Sequence, residues 1–271
     1  MVRFEKYLLS VSGALIGVFL AAGVATALPL PGQMLGENGG ANDHPHNLSS
    51  LGTGAVHASA TDDVQQICVF CHTPHGASAK GPLWNRQDPV GPNGDGSFPL
   101  YGNLAALSID EIAAAKYTNT DVNVEYPNGA SRLCLSCHDG VSAVGEVING
   151  GTLANLTMSA QATVDLSTSH PISFVYDGTV QGALSAVAGK GSYVLPGVGY
   201  LDKQQRMQCT SCHDPHVDTR VAGAGGYGLP MWAHYTGDEN ADYDDTCNAC
   251  HGAGIFSSGL PAGSGAGHDN F

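Results

Sequence analysis

The chain is 271 residues long with 10 Lys and Arg against 24 Asp and Glu, and its formal charge of -14 argues against nucleic acid or an anionic lipid surface as a partner. Only 7% of residues are aromatic while 37 are Gly and 14 are Pro, so a core of large side chains is poorly supplied for this length. The interior has to be filled largely by something other than ordinary side chains.

Taken in chain order, residues 1–27 carry Arg3 and Lys6, an uncharged stretch from Leu8 to Ala25, and Ala25-Thr26-Ala27 before Leu28-Pro29. This pattern reads as a secretory signal peptide cleaved after Ala27, with a retained membrane anchor as the alternative, since about 18 apolar residues begin to span a bilayer. Residues 28–67 form an extended N-terminal segment rich in Gly, Asn and His. Within 68–251, Ser108-Ile109-Asp110-Glu111 reads as a capping box opening a helix through Lys116. Val175-Tyr176 and Ser192-Tyr193-Val194-Leu195 are β-prone and flank a Gly-rich stretch, which predicts a small hairpin. Elsewhere loops are expected, and 252–271 reads as a flexible Gly/Ser-rich tail ending near His268.

Four copies of Cys-x-x-Cys-His, at Cys68 to His72, Cys134 to His138, Cys209 to His213 and Cys247 to His251, use all eight cysteines. That spacing is the one used for covalent c-type haem attachment. In each copy two thiols (Cys68 and Cys71, Cys134 and Cys137, Cys209 and Cys212, Cys247 and Cys250) can add to the two vinyl groups of one porphyrin. The adjoining His72, His138, His213 or His251 is then the proximal iron ligand. Four disulfides would give no reason for a histidine after every second cysteine. Two closed zinc sites would strand ligands, because eight thiols and four histidines exceed them. The expected cofactor is four covalently bound haem c. Their apolar faces would form the core, and regular secondary structure could then be sparse. The fold class expected is a mostly irregular, loop-rich multihaem cytochrome c, organised around a haem core with a few short α-helices, helical turns at each motif and the small β-hairpin. The motifs recur at unequal intervals, which reads as repeated chemistry without a repeated fold unit. A weak echo between His72-Thr73-Pro74-His75 and His213-Asp214-Pro215-His216 suggests two pairs.

Sixth ligands must come from His44, His46, His57, His75, His170, His216, His234 and His268, with Met34, Met158, Met207 and Met231 as rivals. His75 and His216 are the strongest candidates. Each lies three residues past a proximal histidine, about 4.5 Å of helical rise, and so cannot reach the opposite face of its own haem. It should ligate a neighbouring one.

The run His46-Asn47-Leu48-Ser49, then Cys68-Val69-Phe70-Cys71-His72-Thr73-Pro74-His75-Gly76-Ala77, Pro82-Leu83-Trp84-Asn85-Arg86, and later Ser169-His170-Pro171-Ile172 with Phe174, resembles the multihaem cytochromes with doubled attachment motifs. Its tetrahaem count resembles the extracellular cytochrome nanowires of metal-reducing bacteria. The resemblance spans His46 to His251. It implies His46, His75, His170 and His216 as distal ligands, bis-histidine haems throughout, an exported and extracellular location, and other copies of the chain as head-to-tail filament partners beside redox-partner cytochromes or extracellular acceptors.

The function expected is electron conduction through closely spaced six-coordinate haems, with no catalytic residue. The alternatives are a periplasmic multihaem reductase with one open haem, or a membrane-anchored tetrahaem quinol dehydrogenase. Residues 28–61 suit a role in reaching across a subunit contact, with His46 the candidate to ligate a neighbouring subunit's haem. His44 and His268 read as spare, and His57 and His234 stand equally as surface residues. Trp84 reads either as cover for a haem face or as plain packing. The sequons at Asn47 and Asn155 are given no role.

Overall fold

The computed structural model describes residues 44–54, 56–61, 63–81, 83–96, 98, 127–149, 164–167, 169–186, 192–217, 231–236 and 238–257. The N-terminal leader, the capping box at Ser108, the sequon at Asn155, Met34, Met158 and most of the tail with His268 lie outside these residues. Three α-helices are present among them: α1 (Gly129–His138), α2 (Gly178–Ser185) and α3 (Glu239–His251). Two single 3-10 turns, Cys68–Phe70 and Cys209–Ser211, complete the regular structure. No strand occurs among the described residues, only isolated antiparallel bridges. No helix there is long and apolar enough to cross a membrane.

The attachment motifs explain where the chain becomes regular. The first and third motifs are the two 3-10 turns, and the second and fourth are the C-terminal turns of α1 and α3. At α3 the Asp238 carboxylate accepts from the Ala241 N–H and Glu239 and Asp242 occupy the first turn, which complements the helix dipole. Gly252 ends the helix at φ 88°. The chain has little apolar material and distributes it accordingly, in four small clusters. One gathers Phe70, Leu48 and Val64 with Cys71, one Leu135 with Phe98 and Leu166, one Tyr176, Val180 and Met207 with Cys250, and one Trp232 and Tyr243 with Cys212 and Cys247. Each cluster contains part of an attachment motif. Met207, a rival ligand on sequence, is packed into one of them.

A local fold unit does repeat, contrary to the reading of the spacing. After the first motif, Thr73 N–H donates to Leu83 O at 2.8 Å and Asn85 N–H to Cys71 O at 2.9 Å; after the third, Asp214 N–H donates to Met231 O at 2.8 Å and Ala233 N–H to Cys212 O at 2.8 Å. Leu83 and Met231 adopt the left-handed region at φ 56° and 55°. Trp84 and Trp232 then stand edge-on to His72 and His213, each with ring centroids 5.6 Å apart. Unequal loop lengths hid the repeat in the sequence. The signal that could have revealed it is Pro82-Leu83-Trp84 against Pro230-Met231-Trp232.

The hairpin does not form. Tyr176 N–H donates to Gln205 O and Met207 N–H to Phe174 O, while Val194 N–H donates to Cys250 O. The two β-prone segments pair with different partners because α2, capped by the Asp177 carboxylate on Thr179 N–H and Val180 N–H, occupies the chain between them. The Tyr176 hydroxyl joins them, 2.8 Å from Val194 O.

Buried polar side chains fasten the motifs to one another. Asn85, fully buried, donates from Nδ2 to Val69 O at 2.6 Å and Asn149 O at 2.8 Å, and accepts from Asn149 N–H at 2.8 Å. Gln208 Oε1 accepts from Ser131 N–H and Oγ, and Ser131 Oγ accepts from Cys209 N–H at 2.9 Å, joining α1 to the third motif. The Arg86 guanidinium, 1% exposed, donates to the carbonyls of Ser136, Ala143 and Val144. Hydrogen bonds to a charged group contribute about 1.5–3 kcal/mol each. Desolvating a cation costs several kcal/mol, so Arg86 fixes geometry more than it adds net stability.

Candidate functional site

All eight thiols are free. Those of successive motifs come together: Cys137 acts on Cys71, Cys134 is hydrogen-bonded to Cys209, and Cys247 acts on Cys212. The attachment points therefore form one series in chain order. Burial first, and neighbouring thiols second, push Cys71 and Cys212 up to about 12. Cys247 is also raised to about 12, mainly by burial. These thiols stay protonated and lie among apolar side chains.

Three of the four motif histidines are met by histidines from distant parts of the chain. His46 faces His138 with ring centroids 6.0 Å apart, His216 faces His72 at 6.3 Å, and His170 faces His251 at 6.2 Å. In each pair one member belongs to an attachment motif and the other does not. The non-motif member is oriented through one ring nitrogen. His170 Nδ1 lies 2.8 Å from Pro171 O and His216 Nδ1 2.9 Å from an Asp214 carboxylate oxygen. A ring nitrogen of His46 bonds the backbone of Pro215, which as a proline can only accept. Holding one nitrogen this way aims the other at the opposing imidazole.

Burial, with the facing imidazole next, lowers His46 to about 3 and His251 to about 4, and lowers His72 in the same sense. Neutral rings present lone pairs, the form that binds metal. No group of three or more His, Cys, Asp or Glu that could hold a bare metal ion occurs among the described residues. The arrangement is of paired imidazoles beside paired thiols.

His75 is exposed, and among the described residues its ring contacts no other; its carbonyl accepts from Thr73 and Asn149. His46, the candidate to reach a neighbouring subunit, meets a histidine of its own chain. Its ring lies against His138 of its own chain because His44, fully buried, accepts the His46 N–H on Nδ1 at 3.0 Å and packs at 6.0 Å from it. His44, set aside as spare, is thus a support of His46. His234 stacks on Tyr200 at 4.0 Å and bonds Ser211 O through Nε2 at 3.0 Å. His57 Nδ1 bonds Ala58 O at 2.8 Å. Asn47 is fully buried with Oδ1 accepting from Ser49 Oγ, so its sequon is not presented on the surface. Trp84 and Trp232 both wall the site, and Trp232 is the residue that the sequence reading missed. No family model and no curated protein matches the chain.

Proposed function

We propose that this chain is a tetrahaem c-type cytochrome that carries electrons through bis-histidine haems. The three imidazole pairs carry the proposal. Two imidazoles that bind one metal from opposite sides, each through a nitrogen at about 2 Å, hold their ring centroids about 6 Å apart. Pairs at 6.0, 6.2 and 6.3 Å meet that requirement while each includes the histidine of a Cys-x-x-Cys-His motif. Core packing alone gives no reason for that coincidence to occur three times.

In this reading Cys68 and Cys71, Cys134 and Cys137, Cys209 and Cys212, and Cys247 and Cys250 hold four haems as thioethers. His72, His138, His213 and His251 would bind iron, His216, His46 and His170 would be the second ligands at the first, second and fourth, and His75 is the remaining candidate for the third. Haem supplies one-electron chemistry when bound. The protein's own work is to bind, orient and insulate. Asp214, Pro215 and Pro171 fix the distal rings, Trp84 and Trp232 stand beside two proximal ones, and buried thiols in series bring successive attachment points together. Ligation by histidine without methionine gives low potentials, suited to anaerobic respiration.

Export through the leader ending at Ala27, an extracellular location and head-to-tail assembly into a conducting filament belong to the same proposal and rest on the resemblance of the motifs. The deciding experiment is haem stoichiometry by alkaline pyridine spectra, with EPR of the oxidised protein. Four haems per chain without a stoichiometric high-spin signal is the expected result. Fewer than four would overturn the assignment, and a full equivalent of high-spin, CO-binding haem would favour a reductase.

A further inference from the structure

Among the described residues Arg86 differs from Arg132 and Arg206 in having no anionic partner. Arg132 forms a two-pronged ion pair with Asp88, and Arg206 pairs with Asp202 at 2.8 Å. The Arg86 guanidinium instead meets only backbone carbonyls, Ser136 O at 3.1 Å, Ala143 O at 2.8 Å and Val144 O at 2.7 Å. Among the described residues no carboxylate bonds it. Its position spans two motifs. Ser136 lies inside the second, and the preceding residue Asn85 donates its N–H to Cys71 O of the first at 2.9 Å.

The repeated local unit gives an internal control. Trp84-Asn85-Arg86 corresponds to Trp232-Ala233-His234, so the second half places a histidine where the first places a guanidinium. His234 satisfies a carbonyl of the third motif, Ser211 O at 3.0 Å. A cation close to a redox centre favours the form with one more electron.

We propose that Arg86 sets a difference in reduction potential between the two halves of the protein, holding the haems of the first and second motifs above those of the third and fourth. This rests on the haem reading given above. The guanidinium lies 3.1 Å from Ser136 O inside the second motif, and Asn85 beside it bonds Cys71 O of the first at 2.9 Å. Each centre gains one electron from an external one-electron donor, with no bond made or broken, and electrons entering the subunit settle preferentially at the end that carries the first two motifs.

The test is a potentiometric titration of the haem-loaded protein, with dithionite as reductant and ferricyanide as oxidant, resolved into four one-electron components. Arg86→Gln lowers two components and leaves two unchanged, while Arg86→Lys stays close to wild type. The proposal is overturned if no component moves, if all four move alike, or if Lys behaves as Gln, which is the signature of a merely structural role. Should Arg86→Gln fail to load four haems, His234→Arg decides. A rise in the components that Arg86 does not govern supports the proposal, and an unchanged titration overturns it. Wild-type protein without four haems removes the haem reading itself, a failure told apart by the pyridine spectrum.

Discussion

The rings of His72 and His216 lie nearly parallel, 16° apart in plane and 6.3 Å between centroids, although they belong to the first and third motif regions. The three-residue offset that carries His216 away from its own proximal His213 is what delivers it to His72. Replacing His216 by Ala should leave four haems attached and convert one to high spin. EPR and the CO-difference spectrum of the reduced protein measure this, and a fully low-spin spectrum would assign the role elsewhere.

His46 is held against His138 by His44 beneath it and Pro215 O beside it. The expected outcome for His46→Ala is one high-spin haem with the state of assembly unchanged, read by EPR alongside size-exclusion chromatography or electron microscopy. Loss of filaments in this variant would return His46 to a role between subunits.

Asn85 ties the first motif to the segment at Asn149 through three side-chain hydrogen bonds in a fully buried setting. Truncation to Ala leaves three backbone groups without their partner. A loss of roughly 3 kcal/mol follows, at about 1 kcal/mol or more per buried orphan. Urea denaturation monitored by circular dichroism gives the value, and a loss under 1 kcal/mol would mean that water replaces the amide.

Asp202 takes hydrogen bonds from Gln204 and Arg206 N–H, the Arg206 guanidinium and Gln208 Nε2. Burial raises its pKa, but the bonds from Arg206 and Gln208 win and hold it below the usual carboxylate range. A carboxylate depressed in the folded state contributes stability above its unfolded pKa, and that contribution fades as pH falls through the folded value. Stability should therefore decline on acidification below about pH 4, and Asp202→Asn should flatten that limb of the stability profile. An unchanged profile would show that other carboxylates dominate.

Gly252 follows His251 at φ 88°, and a Cβ there would run into the Ser192 carbonyl. Because the obstacle is backbone, the strain cannot be relieved by a side-chain rotation. Gly252→Ala should displace the end of α3 and lower haem occupancy at the fourth motif. Mass spectrometry of the purified variant should reveal chains with three haems, and full loading with unaltered stability would contradict this account.

The four Cys-x-x-Cys-His motifs, the loop-rich character and the set of available histidines were legible from residue identity and spacing alone, because covalent attachment demands a local pattern. The expectation of helical turns at the motifs also rested on local geometry, and the described motifs do lie on 3-10 turns or helix ends. Local propensity misjudged Val175-Tyr176 and Ser192-Leu195, since strand formation depends on which edge is free and α2 stood between them.

What the tertiary structure decided is which histidine meets which. His46 with His138, His72 with His216 and His170 with His251 are contacts between residues far apart in sequence, set by loop paths and by buried anchors such as Asn85, Gln208 and Arg86. Spacing fixes chemistry within a pentapeptide, where the chain has little freedom. Partnership across the molecule depends on how the remaining polar groups are satisfied once that chemistry is buried. The sequence alone therefore determined the Cys-x-x-Cys-His motifs, and only the fold determined which histidines they meet.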